Sequence, residues 1–399
     1  MKLKAVLKQK DFFYYIFLLF FTTVFNLLSI KLISEKFGIE NFAKYTYTSI
    51  IIQVVLAFSD LGIKYSYFRN NLIKNKIIFS LIISRVLVAL ILFLIFSIFF
   101  IFSDEDLLIY ISFAPFVLGS ALFPNFVFQS YNQFKYIGLN NFIYRFFLIS
   151  LIFIVSNIYL LSLISGLIYF VFSLFSLLYF KKLIFFKLEI KTFKLFFFSF
   201  LKQNLYLNLI NIVSVVEINF QSLISKYALV GLDFNLFIYT ERIVSIIKQV
   251  VITIIDFLYP KINNYNYHSY IFYKRALIIL YLSIIVLIYL NFDYFHNNLF
   301  HQFAKNGNIK FFIILFLMYP LSILIFNFIQ NILFVKNGFD KYSLYIQLFQ
   351  ILFKILSFLF FIDQLGIIII PFILIFNEFF AGVFKSMKLD KPIKNFGFW

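Results

Sequence analysis

Residues 77–102 read IIFSLIISRVLVALILFLIFSIFFIF, an apolar run with a single charge at Arg85. About twenty apolar residues in a helix cross the ~30 Å hydrocarbon core of a bilayer. Inside lipid, every backbone N–H and C=O group must bond within the protein, and this run lacks the alternating polar and apolar residues of a barrel strand. The stretch therefore predicts a transmembrane helix.

The same pattern recurs along the whole chain. Hydrophobic residues make up 63% of the 399 residues and charged residues 13%, against roughly 45–50% and 25% in a soluble domain. The apolar blocks between polar breaks predict twelve spans. They lie at residues 12–33, 43–62, 77–102, 107–130, 137–157, 159–180, 205–227, 235–258, 275–292, 311–334, 342–362 and 364–384. We therefore predict an all-α integral membrane protein.

Lysine and arginine residues in the loops predict the orientation of these helices. The net charge is +18, but the cations form no continuous basic face for nucleic acid. They cluster in alternate loops, at residues 2–10, 64–76, 135, 181–202, 261–275, 336–341 and 385–394. The positive-inside rule predicts that both termini are cytoplasmic. The excess of Phe, Tyr, Ile, Asn and Lys over Ala and Gly is typical of an AT-rich bacterial genome.

A faint internal repeat predicts two halves. The end of the first span reads Leu32-Ile33-Ser34, Gly38-Ile39-Glu40 and Tyr45-Thr46, and the end of the seventh reads Leu223-Ile224-Ser225, Gly231-Leu232-Asp233 and Tyr239-Thr240. The basic stretch near residues 181–203 separates the halves, so we predict six-helix bundles at 1–187 and 188–399. Two pseudo-repeat bundles around a central cavity are a common plan of transporters.

Polar residues inside the spans predict what lines this cavity. A charge in the bilayer is costly, so intramembrane charges usually face a cavity or a partner. Cations with no obvious carboxylate suit a phosphate-like anion. The candidate substrate-binding residues are Arg85, Arg145, Arg242, Lys248, Lys354, Asn211 and Gln221, and the candidates for ion coupling are Glu217, Asp256 and Glu378. Two alternatives remain open: the Asn and Ser side chains bond neighbouring helices, and Arg85 extends toward the cytoplasmic face.

Motifs for catalysis, a cofactor or a metal are lacking. The chain has no cysteine and no P-loop, dinucleotide-binding, nucleophile-elbow or zinc-helix motif. His296, His301 and Asp293 share one external loop, but their spacing favours an ordinary solvated loop over a metal site. The external loops are short and leave no extramembrane domain for chemistry. We therefore predict a transporter rather than an enzyme.

Three stretches resemble one family. Residues 34–45 read SEKFGIENFAKY, followed by SDLGI at 59–63. Residues 124–135 read PNFVFQSYNQFK, with Arg145 ten positions on, and a third match runs from Gly231 to Pro260. They are similar to the Wzx-type (O-antigen and capsule) polysaccharide-repeat flippases, within the superfamily that contains multidrug and toxin extruders and lipid II flippases. Phe126 stands where that family usually has Trp, and Glu241 where it has a small residue.

The resemblance implies a substrate and partners. It implies a flippase that moves an undecaprenyl-diphosphate-linked oligosaccharide repeat unit from the cytoplasmic to the external leaflet by alternating access, for surface polysaccharide biosynthesis. The implied partners are the lipid-linked oligosaccharide, the bilayer, a proton or sodium ion, and the polymerase and glycosyltransferases of the pathway. Two alternatives remain: a cation-coupled small-molecule or multidrug exporter of the same superfamily, and a membrane glycan polymerase, which usually carries a large external loop.

Overall fold

The computed structural model describes residues 2–60, 75–102, 106–130, 133–179, 205–229, 231–258, 267–300, 303, 309–327 and 339–388. These residues form helices and short connections, and the described ranges contain no strand. Nine helical segments within them are long and apolar enough to cross a membrane. The prediction of an all-α integral membrane protein is therefore confirmed.

The chain divides into two compact units, Met1–Val215 and Val216–Trp399. The predicted division at 187/188 lies outside the described residues and stays a prediction. The helices of the first unit are α1 (Lys2–Phe37), α2 (Ile39–Asp60), α3 (Asn75–Phe102), α4 (Leu107–Ser112), α5 (Ala114–Leu122), α6 (Asn125–Ser130), α7 (Phe134–Ile154) and α8 (Ile158–Tyr179). Helix α1 packs along α7, and α5 packs between α3 and α8.

The predicted span at 107–130 is broken into α4, α5 and α6. Proline lacks a backbone N–H and fits best in the first turn of a helix. Pro115 lies in the first turn of α5, and Pro124 directly precedes α6. Both prolines thus mark the start of a new helix, as expected of helix-breaking residues.

One face of α3 has the character of a lipid-exposed surface. Leu87, Ile91, Leu94, Ile98 and Phe102 follow one another at three- or four-residue steps, and all are exposed. These steps place the five side chains on one side of the helix. A continuous exposed apolar stripe is unfavourable in water and favourable against lipid tails. The span that decided the fold class thus exposes an apolar stripe suited to lipid.

The described part of the second unit consists of α-helices, two π-helices and one 3-10 turn. Helix α9 (Leu205–Ala228) begins in the first unit and ends in the second. It is followed by α10 (Leu232–Leu258), α11 (Tyr267–Leu290), α12 (Phe292–Phe295), a π-helix (His296–Phe300), α13 (Ile309–Ser322), a second π-helix (Ile323–Asn327), α14 (Asp340–Leu365), a 3-10 turn (Gly366–Ile368) and α15 (Ile369–Lys388). Helix α13 contacts α10, α11 and α15, and α14 packs on α15.

Helices α9, α10 and α11 lie at three of the twelve predicted spans. Polar side chains interrupt the apolar sequence of α9 and α10, and Lys274 and Arg275 lie in the first half of α11. Polar residues inside a span are tolerated when they face protein or a cavity. Glu217 and Gln221 of α9 and Glu241 and Lys248 of α10 are accordingly buried within the protein.

The predicted sequence repeat corresponds to a similar glycine turn between two helices in each half of the chain. Gly38 joins α1 to α2 with φ 85°, and Gly231 joins α9 to α10 with φ 60°. Each glycine carbonyl accepts a hydrogen bond from the amide four residues on, at 3.0 Å and 3.2 Å respectively. A serine precedes each glycine. The Ser34 hydroxyl, four positions before Gly38, donates to the carbonyl of Lys31 at 2.8 Å. The Ser225 hydroxyl, six positions before Gly231, donates to the carbonyl of Ser222 at 3.1 Å. The matching residues in the two halves thus form turns with the same kind of glycine conformation and the same hydrogen bond.

We predict that a β-branched residue at either glycine turn destabilises the protein through the backbone alone. No atom of the described residues lies within 4 Å of where a Cβ would stand on Gly38 or Gly231, so the reason is not a clash with them. A left-handed conformation costs an L-residue about 1–2 kcal/mol, and Asn tolerates it better. Gly38→Val and Gly231→Val should lower the thermal unfolding midpoint in detergent by several degrees. Gly38→Asn and Gly231→Asn should lower it less; equal losses for Val and Asn would contradict this explanation.

Candidate functional site

Seven charged side chains among the described residues of the second unit are buried, and the six other than Lys274 form what we call the charge network. Each is less than a tenth exposed, although each carries a group that prefers water. They are Glu217 on α9, Glu241 and Lys248 on α10, Lys354 on α14, and Glu378 and Lys385 on α15. Three carboxylates thus face three ammonium groups, and their formal charges balance.

Glu217 and Lys354 form the ion pair at the centre of this network. The Lys354 ammonium donates to the Glu217 carboxylate and, at 2.9 Å, to the backbone carbonyl of the same residue. The Asn377 amide adds a third hydrogen bond, to Oε1 of Glu217 at 3.3 Å. A buried ion pair is stable only when further hydrogen bonds satisfy its atoms. Three helices, α9, α14 and α15, meet at this one carboxylate.

The second π-helix brings Asn327 to Glu378. Pro320 lies inside α13, where it removes a backbone donor, and the chain widens into a π-helix three residues later. At the end of that segment, Asn327 Nδ2 donates to the Glu378 carboxylate at 2.6 Å and to its backbone carbonyl at 2.8 Å. Asn327 Oδ1 accepts from Lys385 Nζ at 3.1 Å. One amide therefore links a buried carboxylate to a buried ammonium.

A close approach of two backbones makes this contact possible. Gly382 lies one turn after Glu378, and a Cβ built on it would stand 2.7 Å from the Phe326 carbonyl oxygen. Any side chain at this position would push α15 away from the π-helix. The absence of a side chain at Gly382 thus lets Asn327 reach Glu378.

Lys248 and Tyr319 connect α10 to α13. Lys248 Nζ donates to the Tyr319 hydroxyl at 2.7 Å and lies 4.6 Å from the centre of the ring. Lys248 also interacts electrostatically with Glu217, Glu378 and Glu241. Tyr319 precedes Pro320 directly, so the residue that bends α13 is next to the residue that contacts α10. All six charges are thereby coupled across four helices.

The first unit has a smaller site around Arg85. Its guanidinium contacts the Asp60 carboxylate at 2.5 Å and donates to the carbonyls of Phe123 at 3.0 Å and Ser120 at 3.3 Å. Pro124 removes a backbone donor here and Phe123 is extended, so helix-end carbonyls are available. Arg85 is buried and held by these groups, and its partner Asp60 is a partly exposed residue at the end of α2, so these contacts do not test the alternative in which Arg85 extends toward the cytoplasmic face.

Arg145 lies near the same site with a different environment. It is half-buried, and its guanidinium lies 5.0 Å from the centre of the Tyr144 ring. The hydroxyl of Tyr169 interacts electrostatically with both Arg85 and Arg145. Among the described side chains, no carboxylate lies within ion-pair distance of Arg145. The two arginines therefore differ: Arg85 is held by a carboxylate, and Arg145 is not.

The expectation that the intramembrane cations lack carboxylates is wrong for two of them. Lys354 pairs with Glu217, and Arg85 pairs with Asp60. Both partners are distant in sequence, and only the folded chain brings them together. The roles of Arg85 and Lys354 in substrate binding stay predictions.

The other predicted residues are distributed as follows. Gln221 is buried, with its Oε1 atom lacking a hydrogen-bond partner, and Arg242 is half-buried beside Glu241, with which it interacts electrostatically. Glu217, Gln221 and Ser225 follow one another at four-residue steps on α9, and all three are buried. The side chains of Asn211 and Asp256 lie outside the described residues.

Two members of the charge network, Glu241 and Lys385, were not predicted as site residues, and neither were three uncharged residues that contact the network: Tyr319, Asn327 and Asn377. Lys385 seemed to lie in a loop because the last span was predicted to end at 384, whereas α15 continues to Lys388. Glu378 and Lys385 are seven residues apart, which is two helical turns, so the sequence could have predicted that they lie on the same face of one helix. Tyr319 and Asn327 are recognisable only once Pro320 is seen to precede a π-helix.

Comparison with known proteins identifies the fold. No protein-family model and no curated protein matches the sequence. The structure resembles a mutant of the Vibrio cholerae MATE transporter VcmN, with a TM-score of 0.67, 13% identity and 99% of both chains covered. It also resembles an outward-facing multidrug resistance MATE family transporter of the MOP superfamily, with a TM-score of 0.62, 13% identity and 95% and 94% covered.

A flippase shares the same fold. The lipid II flippase MurJ, in an inward closed conformation, matches with a TM-score of 0.61 and 16% identity over 96% of this chain and 88% of that one. At these identities the likeness shows the fold alone. The chain thus has the fold of the MATE transporters and of MurJ over nearly its whole length.

We predict that closing the gap at Gly382 breaks the contact between Asn327 and Glu378. Gly382→Val should separate α15 from the π-helix, leave a buried carboxylate without its amide partner, and cost about 3 kcal/mol of unfolding free energy. The measurement is thermal unfolding of the purified protein, with Met387→Val as the control. Met387 lies on the same helix and is exposed, so its variant should behave as wild type. A Gly382→Val protein as stable as the control would contradict the prediction.

Proposed function

We propose that this protein is a transporter that moves an anionic, lipid-linked substrate across the membrane. The substrate class is an undecaprenyl-diphosphate-linked oligosaccharide, moved from the cytoplasmic to the external leaflet by alternating access. The membrane is the bacterial cytoplasmic membrane, with both termini in the cytoplasm. Polymerase and glycosyltransferases of a surface-polysaccharide pathway would be its partners.

An excess of cations at the two sites is the observation that carries this proposal. In the first unit, Arg85 and Arg145 stand against Asp60, and in the second, Arg242 joins three lysines that face three glutamates. Each unit thus has one more positive than negative group among the side chains described above. A surplus positive charge in a medium of low dielectric attracts a diphosphate and repels a cationic drug.

The half-buried arginines are the best candidates for substrate contact. Arg145 and Arg242 are each half-buried, so part of each guanidinium is accessible, whereas Arg85 and Lys354 are buried. Arginine binds phosphate through paired N–H donors. We propose Arg145 within the first unit and Arg242 within the second as arginines that bind the diphosphate during transport, with Gln221 and Lys248 as further polar contacts in the second unit.

The fold and the sequence motifs agree with this substrate class. The likeness to MurJ extends over nearly the whole chain, and the name of that protein is lipid II flippase. The SDLGI and PNFVFQSYNQFK stretches resemble polysaccharide-repeat flippases. The fold alone does not separate the two substrate classes, because the MATE transporters share it.

A second candidate is a cation-coupled multidrug exporter. It is favoured by the likeness to multidrug resistance MATE transporters and by the buried carboxylates Glu217 and Glu378, which are candidates for ion coupling together with Asp256. In that case a carboxylate without a fixed cation is needed to attract a positively charged drug. Glu217 is paired with Lys354, and Glu378 interacts electrostatically with the ammonium groups of Lys248, Lys385 and Lys354, so we rank this candidate second.

We predict that Arg145→Gln and Arg242→Gln slow lipid flipping. Each variant should reduce the rate about tenfold, because a charge-assisted hydrogen bond to phosphate contributes about 1.5–3 kcal/mol. The measurement is translocation of a fluorescent polyprenyl-diphosphate-linked oligosaccharide in proteoliposomes, scored by loss of protection from a membrane-impermeant quencher.

Arg275→Gln is the matched control, because Arg275 is an exposed arginine of α11. It should flip the lipid at the wild-type rate. Transport of a cationic dye by the wild type, with no flipping of the diphosphate lipid, would contradict the proposal and support the drug exporter. Normal flipping by both site variants would contradict the residue assignment alone.

A further inference from the structure

The Lys354 ammonium lies in a group of oxygen atoms of the kind that binds a metal cation. It donates to the carboxylate and to the backbone carbonyl of Glu217. Both oxygens belong to a residue that is 7% exposed, and Lys354 itself is 2% exposed. Hard monovalent cations bind carboxylate and carbonyl oxygens, and membrane transporters hold sodium with such groups.

A further oxygen at this place has no donor. Asn377 is 1% exposed and uses its Nδ2 atom to donate to Glu217, while its buried Oδ1 atom accepts no hydrogen bond from the described residues. Gln221, one turn after Glu217 on α9, also has a buried Oε1 atom that accepts none from them. Most buried polar atoms are hydrogen-bonded, so these two oxygens, one on a residue that contacts Glu217 and one a helical turn away from it, need an explanation. A metal cation that is coordinated by several oxygens could bind such atoms, whereas the Lys354 ammonium, with only three N–H donors, leaves them without a partner.

We propose that Lys354 is a tethered cation that occupies a monovalent-cation site formed by Glu217 and Asn377. Its ammonium neutralises Glu217 permanently, because it is attached to α14 and cannot be exchanged for an ion from solution. The wild-type protein therefore binds no sodium at Glu217. When the ammonium is removed, the same oxygens bind sodium or a small primary ammonium ion from solution. This proposal does not depend on the identity of the transported substrate.

The physical reason is the cost of an isolated buried carboxylate. Loss of one partner of a buried ion pair leaves a charge that the protein interior cannot solvate. Such a group recovers stability by taking up a proton or a cation. Lys354→Ala keeps the Cβ atom and deletes three methylene groups and the ammonium, which together have the size of propylammonium. Sodium and propylammonium are therefore the two probes that fit the vacated site.

The test measures stability against cation type at constant ionic strength. Purified wild type and Lys354→Ala are unfolded thermally in choline chloride, sodium chloride and propylammonium chloride. The Lys354→Ala midpoint should rise by about 5 °C in sodium and in propylammonium relative to choline. The wild-type midpoint should be the same in all three salts.

Two further variants control for the site. Lys354→Met fills the same volume with an uncharged side chain, so propylammonium should not stabilise it. The double variant Glu217→Gln/Lys354→Ala removes the anion, so neither cation should stabilise it. Retention of the sodium response in this double variant would overturn the assignment to Glu217.

Each remaining outcome decides the proposal. The proposal is overturned if the unfolding midpoint of folded Lys354→Ala changes with neither cation. It is also overturned if sodium raises the midpoint of the wild type and Glu217→Gln abolishes that rise. Should Lys354→Ala yield no folded protein in choline, recovery of folded protein when propylammonium chloride is present throughout purification supports the proposal, and failure of that recovery overturns it. Because these measurements involve no transport, they do not depend on the outcome of the lipid-flipping experiment.

Discussion

The ion pair between Glu217 and Lys354 is the interaction on which the interior of the second unit depends. Its two residues lie 137 positions apart, and both are buried. Neither charge is tolerable alone in a membrane protein interior, so α9 and α14 must meet at this point. Asn377 attaches α15 to the same carboxylate. The next residue, Glu378, is held by the π-helix that follows Pro320.

The same principle explains why the second unit is more polar along its helices than the first. In the first unit, the site contains Arg85, Asp60 and Arg145, and much of the other packing is aromatic, such as Tyr110 between Phe93 and Phe100. In the second unit, the six members of the charge network come from four helices, and their formal charges sum to zero. Rearrangement of such a network requires charges to exchange partners, which favours discrete states over gradual deformation.

Much of the fold follows from the sequence because lipid imposes one requirement on the backbone. Apolar blocks of span length must be helices, and those predicted at 43–62 and 77–102 agree with α2 and α3 within a few residues. The repeated Gly38 and Gly231 turns were visible as matching residues, since a left-handed turn selects glycine. The partners of Arg85 and Lys354 were not visible. Pairing between residues 25 and 137 positions apart is a property of packing, and no helical periodicity encodes it.

A double-mutant cycle on Glu217 and Lys354 tests the central claim, that the pair balances two charges the unit cannot otherwise bury. The unfolding free energy is measured for wild type, Glu217→Gln, Lys354→Met and the double variant in one detergent. We expect each single variant to cost about 3–5 kcal/mol and the double variant to cost clearly less than the sum. Additive losses, or single variants as stable as wild type, would contradict the claim.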